Sequence, residues 1–442
     1  MSKSIVAVIG RPNVGKSTFF NRLAGRRISI VEDTPGVTRD RIYAEVEWLN
    51  HTFSLIDTGG LEPSSSEIIP SQMRKQAQLA MEMAHVILFM VDGRAGITAQ
   101  DQEIAELLRK NNRPVILVVN KVDSHQHSEY YYDFYELGLG DPIEISAEMA
   151  YGIGDLLDLV ISHFPESTHS HEDQDQIKVS VIGKPNVGKS SLINKFLGEE
   201  RVIVSDIAGT TRDAIDTPFS MDGQEYLLID TAGLRKKSRI NDDVEHYSVL
   251  RAIAAIERSD VCVLMIDGRE GVTEQDKKVA GLSHENGKAM VILVNKWDLV
   301  EKDNKTVNQM TKDIRRELGF CQYAPILFVS VLTGQRIDRI IPAVQHVSNQ
   351  HAMRIQTGVL NEVIAESTLM KQPPSDKGKR LKIFYGTQVS VKPPTFILFI
   401  NDKELMHFSY QRYLENRIRE NFGFEGTPVR FMLREKSGGT GA

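Results

Sequence analysis

Two segments of this sequence place a lysine and a hydroxyl residue at the spacing of a phosphate-binding loop. The pattern Gly-x-x-x-x-Gly-Lys-Ser begins once at Gly10 and again at Gly183. Its glycines let successive backbone N–H groups converge on phosphate oxygens, and the following helix adds the positive end of its dipole. The residues predicted to contact phosphate are Gly10, Gly15, Lys16, Ser17, Thr18, Gly183, Gly188, Lys189, Ser190 and Ser191.

The lysine of each loop is predicted to contact phosphate, and the serine is predicted to bind a metal ion. Lys16 and Lys189 should reach the β- and γ-phosphates of a nucleotide, where they take part in catalysis. The hydroxyls of Ser17 and Ser190 should bind Mg²⁺. Each motif follows an apolar run and precedes a helical pattern, which is the context that this chemistry requires.

A carboxylate and a glycine follow each loop in the pattern Asp-x-x-Gly. Asp57 and Asp230 should hold the Mg²⁺, either directly or through water. Gly60 and Gly233 should offer backbone N–H groups to the γ-phosphate. The tetrapeptide is common in turns, but its position after a phosphate-binding loop makes it a strong signal.

A third pattern, Asn-Lys-x-Asp, predicts which base is bound. The carboxylate of Asp123 or Asp298 accepts hydrogen bonds from N1–H and N2–H₂ of guanine, whereas adenine offers neither donor. The predicted substrate is therefore GTP rather than ATP. The other members of the pattern are Asn120, Lys121, Asn295 and Lys296. The lysines should pack over the base, and the asparagines should tie this loop to the phosphate-binding loop.

A short segment after a further apolar run should complete each base site. Ser146 and Ala147, with the residue that follows, are predicted to contact O6 of guanine through backbone N–H groups. Ser330 and Val331 hold the corresponding positions in the second site. Because Val331 is larger than alanine, we expect added bulk near the second base.

All of these patterns occur twice, in one order. Gly10 and Gly183 lie 173 positions apart, and the Asp-x-x-Gly motifs keep that offset. Residues 33–40 return at 206–213, and Asn-Lys-x-Asp returns after 175 positions. Such ordered self-similarity indicates a tandem duplication of one domain.

Short apolar runs separated by amphipathic stretches predict the fold of each copy. In the first copy the runs are residues 5–9, 53–56, 86–91, 115–119 and 143–145, and a helical pattern covers 100–111. The runs are continuous and rich in β-branched residues, as in strands buried on both faces of a parallel sheet. We therefore predict two doubly wound α/β domains with mostly parallel sheets.

The domain boundaries follow from composition. We predict a first domain at 1–165, a polar, acidic linker at 166–176, a second domain at 177–348, a third domain at 349–436 and a flexible tail at 437–442. Residues 349–442 carry 14 Lys+Arg and 9 Asp+Glu, a net charge of +5 in a chain whose total is −6. A basic module on an acidic body points to a partner.

The third domain has a pattern of its own. A helix at 359–370 should precede strands at 381–391 and 396–400, a helix at 409–421 and a strand at 429–433. Lys392-Pro393-Pro394 should form the turn between the first two strands.

The cysteine count and the hydropathy pattern exclude other classes of protein. Cys262 and Cys321 are too few for a disulfide scaffold and lack the spacing of a zinc site, and Cys262 is expected in the core. No apolar run approaches the roughly 20 residues of a membrane span, and the first residues lead directly into the first motif. We expect a soluble cytoplasmic protein. No dimerisation motif is evident, which favours a monomer.

The motif set, present twice and followed by a small basic domain, resembles the EngA/Der family of bacterial double-domain GTPases, which are associated with assembly of the large ribosomal subunit. The resemblance covers nearly the whole chain and implies GTP hydrolysis with Mg²⁺, a KH-like fold for the third domain, and nucleotide-dependent binding to the large subunit and its rRNA. It also implies that Thr38 and Thr211 are the switch-I threonines that close on Mg²⁺ and the γ-phosphate. Asn13 and Asn186 match an asparagine that binds K⁺ in related GTPases.

The hydrolytic step should depend on that K⁺. Where Ras-type enzymes have a glutamine that orients water, this chain has Leu61 and Leu234. We expect slow hydrolysis at each site alone, with K⁺ held by Asn13 or Asn186 in place of an arginine finger. The alternative is that the two asparagines only shape the loop.

RNA contacts are harder to assign. Gly423-Phe-Glu-Gly426 matches the GXXG string of KH modules, but it precedes a strand and contains an acidic residue, so a helix C-cap and turn is favoured. Candidate phosphate contacts are Lys377, Lys379, Arg380 and Lys382. The alternatives are that these residues belong to a solvated loop, and that the third domain docks the two GTPase domains and reports their nucleotide state. A second basic cluster, whose exposure would depend on the nucleotide, comprises Arg235, Lys236, Lys237 and Arg239.

Two other functions fit parts of the pattern. One is a metabolic GTP-dependent enzyme, although the scattered residues His85, His246 and His407 suggest no third catalytic site. The other is an RNA-binding scaffold that keeps the nucleotide as a structural ligand. Multiple-turnover hydrolysis would separate the scaffold from a GTPase switch.

Overall fold

The computed structural model describes residues 4–24, 43–57, 74, 77–78, 80–111, 113–123, 131–164, 176–198, 203–204, 216–230, 244–376 and 378–436. Its contacts divide the chain into two compact units, Met1–Ser170 and His171–Ala442. The first copy of the repeat lies in the first unit; the second copy and the third domain lie in the second. The predicted tail, and the predicted linker apart from Gln176, lie outside the described residues.

A six-stranded sheet forms the first unit. Its strands are β1 (Ser4–Ile9), β2 (Tyr43–Trp48), β3 (His51–Asp57), β4 (Val86–Asp92), β5 (Val115–Asn120) and β6 (Ile143–Glu144). They lie in the order β2-β3-β1-β4-β5-β6. The pair β2–β3 is antiparallel and the other pairs are parallel. The prediction of a doubly wound, mostly parallel sheet is confirmed.

One strand of this sheet was not predicted. In β2, Ala44 and Val46 are buried whereas Glu45 and Glu47 are exposed. This alternation belongs to an edge strand with one face in water, so a search for continuous apolar runs misses it.

Both faces of the central strands are covered. Val6 and Val8 of β1 belong to one buried cluster, and their neighbours Ile5 and Ala7, which point to the opposite face, are also fully buried. The α-helices whose bounds the structure gives in the described part of this unit are α1 (Lys16–Ala24), α2 (Ala99–Arg109) and α3 (Ile153–Ser162). The start of α2 is fixed by a capping box between Thr98 and Asp101.

The second unit repeats this sheet with one strand more. Its strands are β7 (Ile177–Ile182), β8 (Ile203–Val204), β9 (Thr217–Met221), β10 (Gln224–Ile229), β11 (Val261–Asp267), β12 (Ala289–Asn295) and β13 (Ile326–Phe328). They lie in the order β13-β12-β11-β7-β10-β9-β8. The pairs β8–β9 and β9–β10 are antiparallel, and the other pairs, including β10–β7, are parallel. Its described residues form the α-helices α4 (Lys189–Leu197), α5 (Val244–Arg258), α6 (Glu274–Glu285), α7 (Thr306–Glu317) and α8 (Ile340–Ala352).

Alternate residues of β11 fill two separate cores. Val261 and Val263 belong to one buried cluster, whereas Cys262 and Leu264 belong to the other. The predicted core position of Cys262 is confirmed. Two apolar faces explain why this strand reads as a continuous apolar run.

The third domain has the predicted α-β-β-α-β order. Its elements are α9 (Thr357–Met370), a short hairpin of β14 (Ser375–Asp376) and β15 (Lys379–Arg380), then β16 (Ile383–Ser390), β17 (Thr395–Ile400), α10 (Phe408–Phe422) and β18 (Arg430–Glu435). The strand β17 lies between β16, which is antiparallel to it, and β18, which is parallel. Predicted residues Leu381 and Lys382 precede β16 because their N–H groups donate instead to the Pro374 carbonyl and the Asn401 side chain.

The GXXG string of the third domain lies against the second copy of the repeat. Gly423 is the C-cap of α10, as predicted. The Gly426 N–H donates to the Tyr323 carbonyl at 2.8 Å, and its carbonyl accepts from the Met290 N–H at 2.7 Å. A Cβ on Gly426 would stand 2.3 Å from Val347 of α8. The string is therefore a packed anchor rather than an open RNA clamp.

Polar side chains extend this junction. The Phe424 N–H donates to Gln350 Oε1 at 2.6 Å. Buried His351 Nδ1 and Thr427 Oγ1 are 2.7 Å apart.

Among the described residues, none of the helices combines the length and apolar character needed to cross a membrane.

Candidate nucleotide-binding sites

The two predicted phosphate-binding loops have the same geometry. Each follows the first parallel strand of its copy and ends where a helix begins, at Lys16 and at Lys189. Lys16 Nζ donates to the carbonyls of Gly10 and Arg11, both at 2.8 Å. Lys189 Nζ donates to the equivalent carbonyls at 2.6 and 2.7 Å. The ammonium is thus held against the first two residues of the loop in both copies.

The second glycine of each loop is required by its surroundings. Gly15 has φ +99° and Gly188 has φ +110°, which L side chains rarely adopt. A Cβ on Gly15 would lie 2.2 Å from Asn120 Nδ2, and one on Gly188 would lie 2.4 Å from Asn295 Nδ2. The chain therefore needs glycine at these positions both for backbone conformation and for space.

The asparagine of each Asn-Lys-x-Asp motif clamps two loops together. Asn120 Nδ2 donates to the Val14 carbonyl at 2.8 Å, and its Oδ1 accepts from the Ala147 N–H at 2.9 Å. In the second copy Asn295 donates to the Val187 carbonyl at 2.7 Å and accepts from the Val331 N–H at 3.0 Å. The asparagines are buried, and the predicted tie to the phosphate-binding loop is present in both copies. The Ala147 N–H, which was predicted to donate to O6 of guanine, already donates to Asn120 Oδ1, so an O6 contact would have to share this donor.

A serine orients the carboxylate of each motif. Ser146 Oγ donates to Asp123 Oδ1 at 2.6 Å, and Ser330 donates in the same way to Asp298. This hydrogen bond lowers the pKa of Asp123, so the group is an ionised acceptor at neutral pH. Guanine N1–H and N2–H₂ are donors that suit such a carboxylate.

A second carboxylate in each copy holds the lysine of the same motif. Lys121 Nζ is 2.6 Å from Asp92 Oδ2, and Lys296 Nζ is 2.6 Å from Asp267 Oδ2. Burial alone would raise the pKa of Asp92, but hydrogen bonds from Lys121 and from the backbone outweigh it, and the pKa is lowered. The ammonium is thereby tethered and its aliphatic stem is held in place.

These carboxylates were not predicted, although the sequence carries a signal for them. Asp92 lies in the string Val-Asp-Gly-Arg, which returns as Ile-Asp-Gly-Arg around Asp267 at the end of the equivalent strand. The arginines differ in partner: Arg94 pairs with Asp123, whereas Arg269 pairs with Asp267 at 3.2 Å. The two base sites therefore differ in whether this arginine pairs directly with the guanine-reading carboxylate.

The predicted Mg²⁺ ligands come together in the first copy. Ser17 Oγ donates to Asp57 Oδ2 at 3.3 Å, and Asp57 is buried at the end of β3. In the second copy, Ser190 Oγ is a buried atom with no hydrogen-bond partner among the described residues. A hydroxyl and a carboxylate are the oxygen ligands that Mg²⁺ prefers, so this donor set fits the ion.

The two asparagines predicted to bind K⁺ share an unusual backbone. Asn13 has φ +64° and Asn186 has φ +61°. Asparagine is among the few residues that adopt this left-handed conformation readily. Loop shape alone therefore accounts for the residue type, and the K⁺ role stays a prediction.

Val331 differs from the expectation. Its side chain is buried in the same apolar cluster as Val187 and Ile337. The added methyl groups thus lie in the core of the second copy rather than beside the base.

Several predicted residues lie outside the described part of the chain. They are Thr38, Gly60, Leu61, Thr211, Gly233, Leu234, Lys377 and the cluster Arg235, Lys236, Lys237 and Arg239. The described candidates for phosphate contact in the third domain, Lys379, Arg380 and Lys382, are exposed, as are Thr18 and Ser191.

Two protein-family models match the chain. One, described as 50S ribosome-binding GTPase, matches residues 5–121 and again 178–296. The other, described as KH-domain-like of EngA bacterial GTPase enzymes, C-terminal, matches residues 354–434. The repeated match coincides with the two copies of the site.

Full-length relatives carry one name. The chain is 70% identical over 438 residues to GTPase Der of Alkaliphilus oremlandii, covering 99% of this chain and 100% of that protein. It is 68% identical over 438 residues to GTPase Der of Alkaliphilus metalliredigens, with the same coverage. It is 61% identical over 437 residues to GTPase Der of Acetivibrio thermocellus, covering 99% of each.

Proposed function

The chain belongs to the Der (EngA) family of GTPases, and from this premise we propose that it is a GTP-hydrolysing switch with two sites that acts in assembly of the large ribosomal subunit. The proposal rests on the presence of the same nucleotide-site geometry in both copies of the repeat. In each copy one buried asparagine joins the phosphate-binding loop to the loop that bears the guanine-reading carboxylate. A site of this kind senses both ends of one nucleotide.

The chain's own residues have separate parts in the proposed hydrolysis. Ser17 with Asp57, and Ser190 with Asp230, would hold Mg²⁺, which neutralises charge on the β- and γ-phosphates when it is bound. Lys16 and Lys189 place a fixed positive charge beside the same phosphates. The proposed switch residues Thr38 and Thr211, with Gly60 and Gly233, would close on the γ-phosphate and open after its release.

K⁺ is the proposed activator of both sites. We expect faster turnover in KCl than in NaCl, because K⁺ held by Asn13 or Asn186 would stabilise charge on the β–γ bridge. Asn186→Gly, and likewise Asn13→Gly, keeps the left-handed backbone and removes the side-chain oxygen. These variants should lose the K⁺ stimulation, as measured by phosphate release. Equal wild-type rates in the two salts, or stimulation that survives in both variants, would contradict the K⁺ role.

The ribosomal role is tested by co-sedimentation with purified large subunits. Wild-type protein should sediment with them in the presence of a non-hydrolysable GTP analogue and not with GDP. We expect Lys16→Ala or Lys189→Ala to abolish that binding, and the more affected variant identifies the gating site. The matched controls Lys110→Ala and Lys305→Ala change exposed lysines and should behave as wild type.

Failure of the wild-type protein to bind large subunits in any nucleotide state would contradict the assembly role. It would leave a GTPase for which a metabolic task is the next hypothesis. Absence of multiple-turnover hydrolysis, with binding intact, would favour the scaffold. As part of the same proposal, the protein acts in the cytoplasm as a monomer.

A further inference from the structure

The sheet of the third domain has one covered face and one open face. Along β17, Phe396, Leu398 and Ile400 are fully buried against α9 and α10, together with residues of those helices. The alternate residues Ile397 and Phe399 are only partly buried. They point to the opposite face, where the exposed side chains of neighbouring strands also lie.

The open face carries a cluster of aromatic rings. Tyr385 of β16 pairs in register with Phe399 of β17, and the two rings stack at 4.4 Å with an interplanar angle of 19°. The strand register shifts between Ile383 and Tyr385, so Phe384 lies at an irregularity where the regular alternation of faces is broken. Phe384 is 47% exposed and Tyr385 is 39% exposed. A contiguous group of exposed rings, unlike single exposed apolar residues, is typical of an interaction surface.

Two cations flank these rings. Arg434 of β18 continues the row, opposite Phe399, and it is exposed. The Lys436 N–H donates to the Ile400 carbonyl at 2.9 Å, which extends the pairing of β17 and β18 by one residue. Lys436 Nζ then lies 5.5 Å from the Phe384 ring centroid and 5.9 Å from that of Tyr385. We call Phe384, Tyr385, Phe399, Arg434 and Lys436 the aromatic platform.

We propose that the aromatic platform binds a single-stranded segment of RNA, with bases stacked on its rings and phosphates bound by its two cations. Aromatic side chains on an open sheet are a common surface for unpaired bases, since every base has a π-face. A base can extend the stack of Tyr385 and Phe399, and the neighbouring cations are placed for its backbone. The ribosomal origin of the RNA rests on the proposed function.

The charge of the platform favours RNA over a protein partner. Lysine is depleted at the centres of protein–protein interfaces, whereas here Lys436 Nζ lies within 6 Å of the centroids of two rings of the platform. Exposed Lys382, which precedes β16, adds a further positive charge near this end of the sheet. The segment 349–442 also has a net charge of +5 in an acidic chain, which suits a polyanion.

The aromatic platform is separate from the GXXG string at Gly423–Gly426. Gly423 and Gly426 anchor the domain to the second copy of the repeat, on a loop whose backbone is already hydrogen-bonded. RNA binding by this domain would therefore use the open sheet instead of the GXXG loop.

The test measures binding of the full-length protein to labelled decauridylate by fluorescence anisotropy, beside a ten-base-pair RNA duplex. Wild-type protein should bind the single strand more tightly than the duplex. The double variant Tyr385→Ala with Phe399→Ala should bind decauridylate at least tenfold more weakly, because it removes the stacking surface. Tyr385→Phe keeps the ring and should bind within twofold of wild type. Lys436→Ala should lower the slope of log affinity against log salt by about one.

Phe408→Ala is the matched control. Phe408 is 58% exposed in the same domain, at the start of α10, the helix that covers the opposite face of the sheet. It should bind decauridylate as wild type does. Unchanged GTP hydrolysis and an unchanged melting temperature show that the variants are folded.

Three results would overturn the platform. They are wild-type protein that does not bind decauridylate, wild-type protein that binds the duplex as tightly, and a double variant that binds the single strand like Phe408→Ala. If the double variant loses large-subunit binding but keeps decauridylate binding, the face contacts a protein instead. The proposed function fails separately, when wild-type protein binds decauridylate through the platform but does not sediment with large subunits.

Discussion

Asp298→Asn is expected to convert the second site from guanine to xanthine nucleotides. Ser330 donates to one oxygen of Asp298. An asparagine would accept that hydrogen bond through its own oxygen and turn its NH₂ group toward the base. Two donors would then face guanine N1–H and N2–H₂, whereas the C2 carbonyl of xanthine accepts from the amide. Affinity for GTP should fall by roughly 10⁴-fold, in the range seen when a polar recognition group is left unpaired.

Competition binding of GTP and XTP measures this switch, and Asp123→Asn should produce it in the first site. Asp338→Asn, a change of an exposed carboxylate in the same unit, is the control and should leave both affinities unchanged. A fall in GTP affinity of less than tenfold, with no gain for XTP, would mean that Asp298 does not read the base. If the switch succeeds, XTP binds only the site that carries the substitution, so its binding reports on that site alone.

Gly188→Ala is expected to disable the second phosphate-binding loop. The new Cβ would meet Asn295 Nδ2 at 2.4 Å on a backbone with φ +110°. The strained conformation costs about 1–3 kcal/mol, and overpacking of the asparagine clamp costs about 1–3 kcal/mol more. The loop or Asn295 must shift, so GTP affinity at this site should fall by a hundredfold or more. Gly15→Ala should act in the same way on the first site.

Gly271→Ala separates the two causes. Gly271 also has a positive φ, +73°, but a Cβ there would meet nothing within 4 Å. It should lower the melting temperature slightly and leave nucleotide affinity intact, as measured by titration with a fluorescent GTP derivative. Equal affinity losses in Gly188→Ala and Gly271→Ala would show that backbone strain, and not the clash with the clamp, weakens binding.

The strands and loops that position the site were predictable because their backbone geometry restricts which residue types can occupy them. A buried parallel strand requires a continuous apolar run, and the loop after it requires glycine where a Cβ would strike the clamp. Asn120 and Asn295 could be assigned from motif order, since each must bridge loops that lie far apart in sequence. The alternation in β2, where Glu45 and Glu47 face water, carries a weaker signal because such an edge strand does not need a long apolar run.

Contacts that depend on side-chain direction were harder to predict. The spacing of Asp92 and Lys121 does not show that they pair, because the pairing depends on the register of β4 and β5, in which Asp92 lies opposite Asn120. The burial of Val331 depends on which way the chain turns after β13. The open face of the third domain could not be read from β16 and β17, whose residues are mostly apolar on both faces.

The anchoring of Gly426 has a consequence for how this protein can be divided. The hydrogen bonds of Gly426 with Tyr323 and Met290 place the loop before β18 between β12 and the segment that leads to β13, so removal of the third domain leaves backbone groups of the second copy unsatisfied. The opposite end of β12 is Asn295, the clamp of the second nucleotide site. The second copy and the third domain should therefore be kept together in any truncated form of the protein, because a cut between them would expose these backbone groups and disturb the strand that ends at the second nucleotide site.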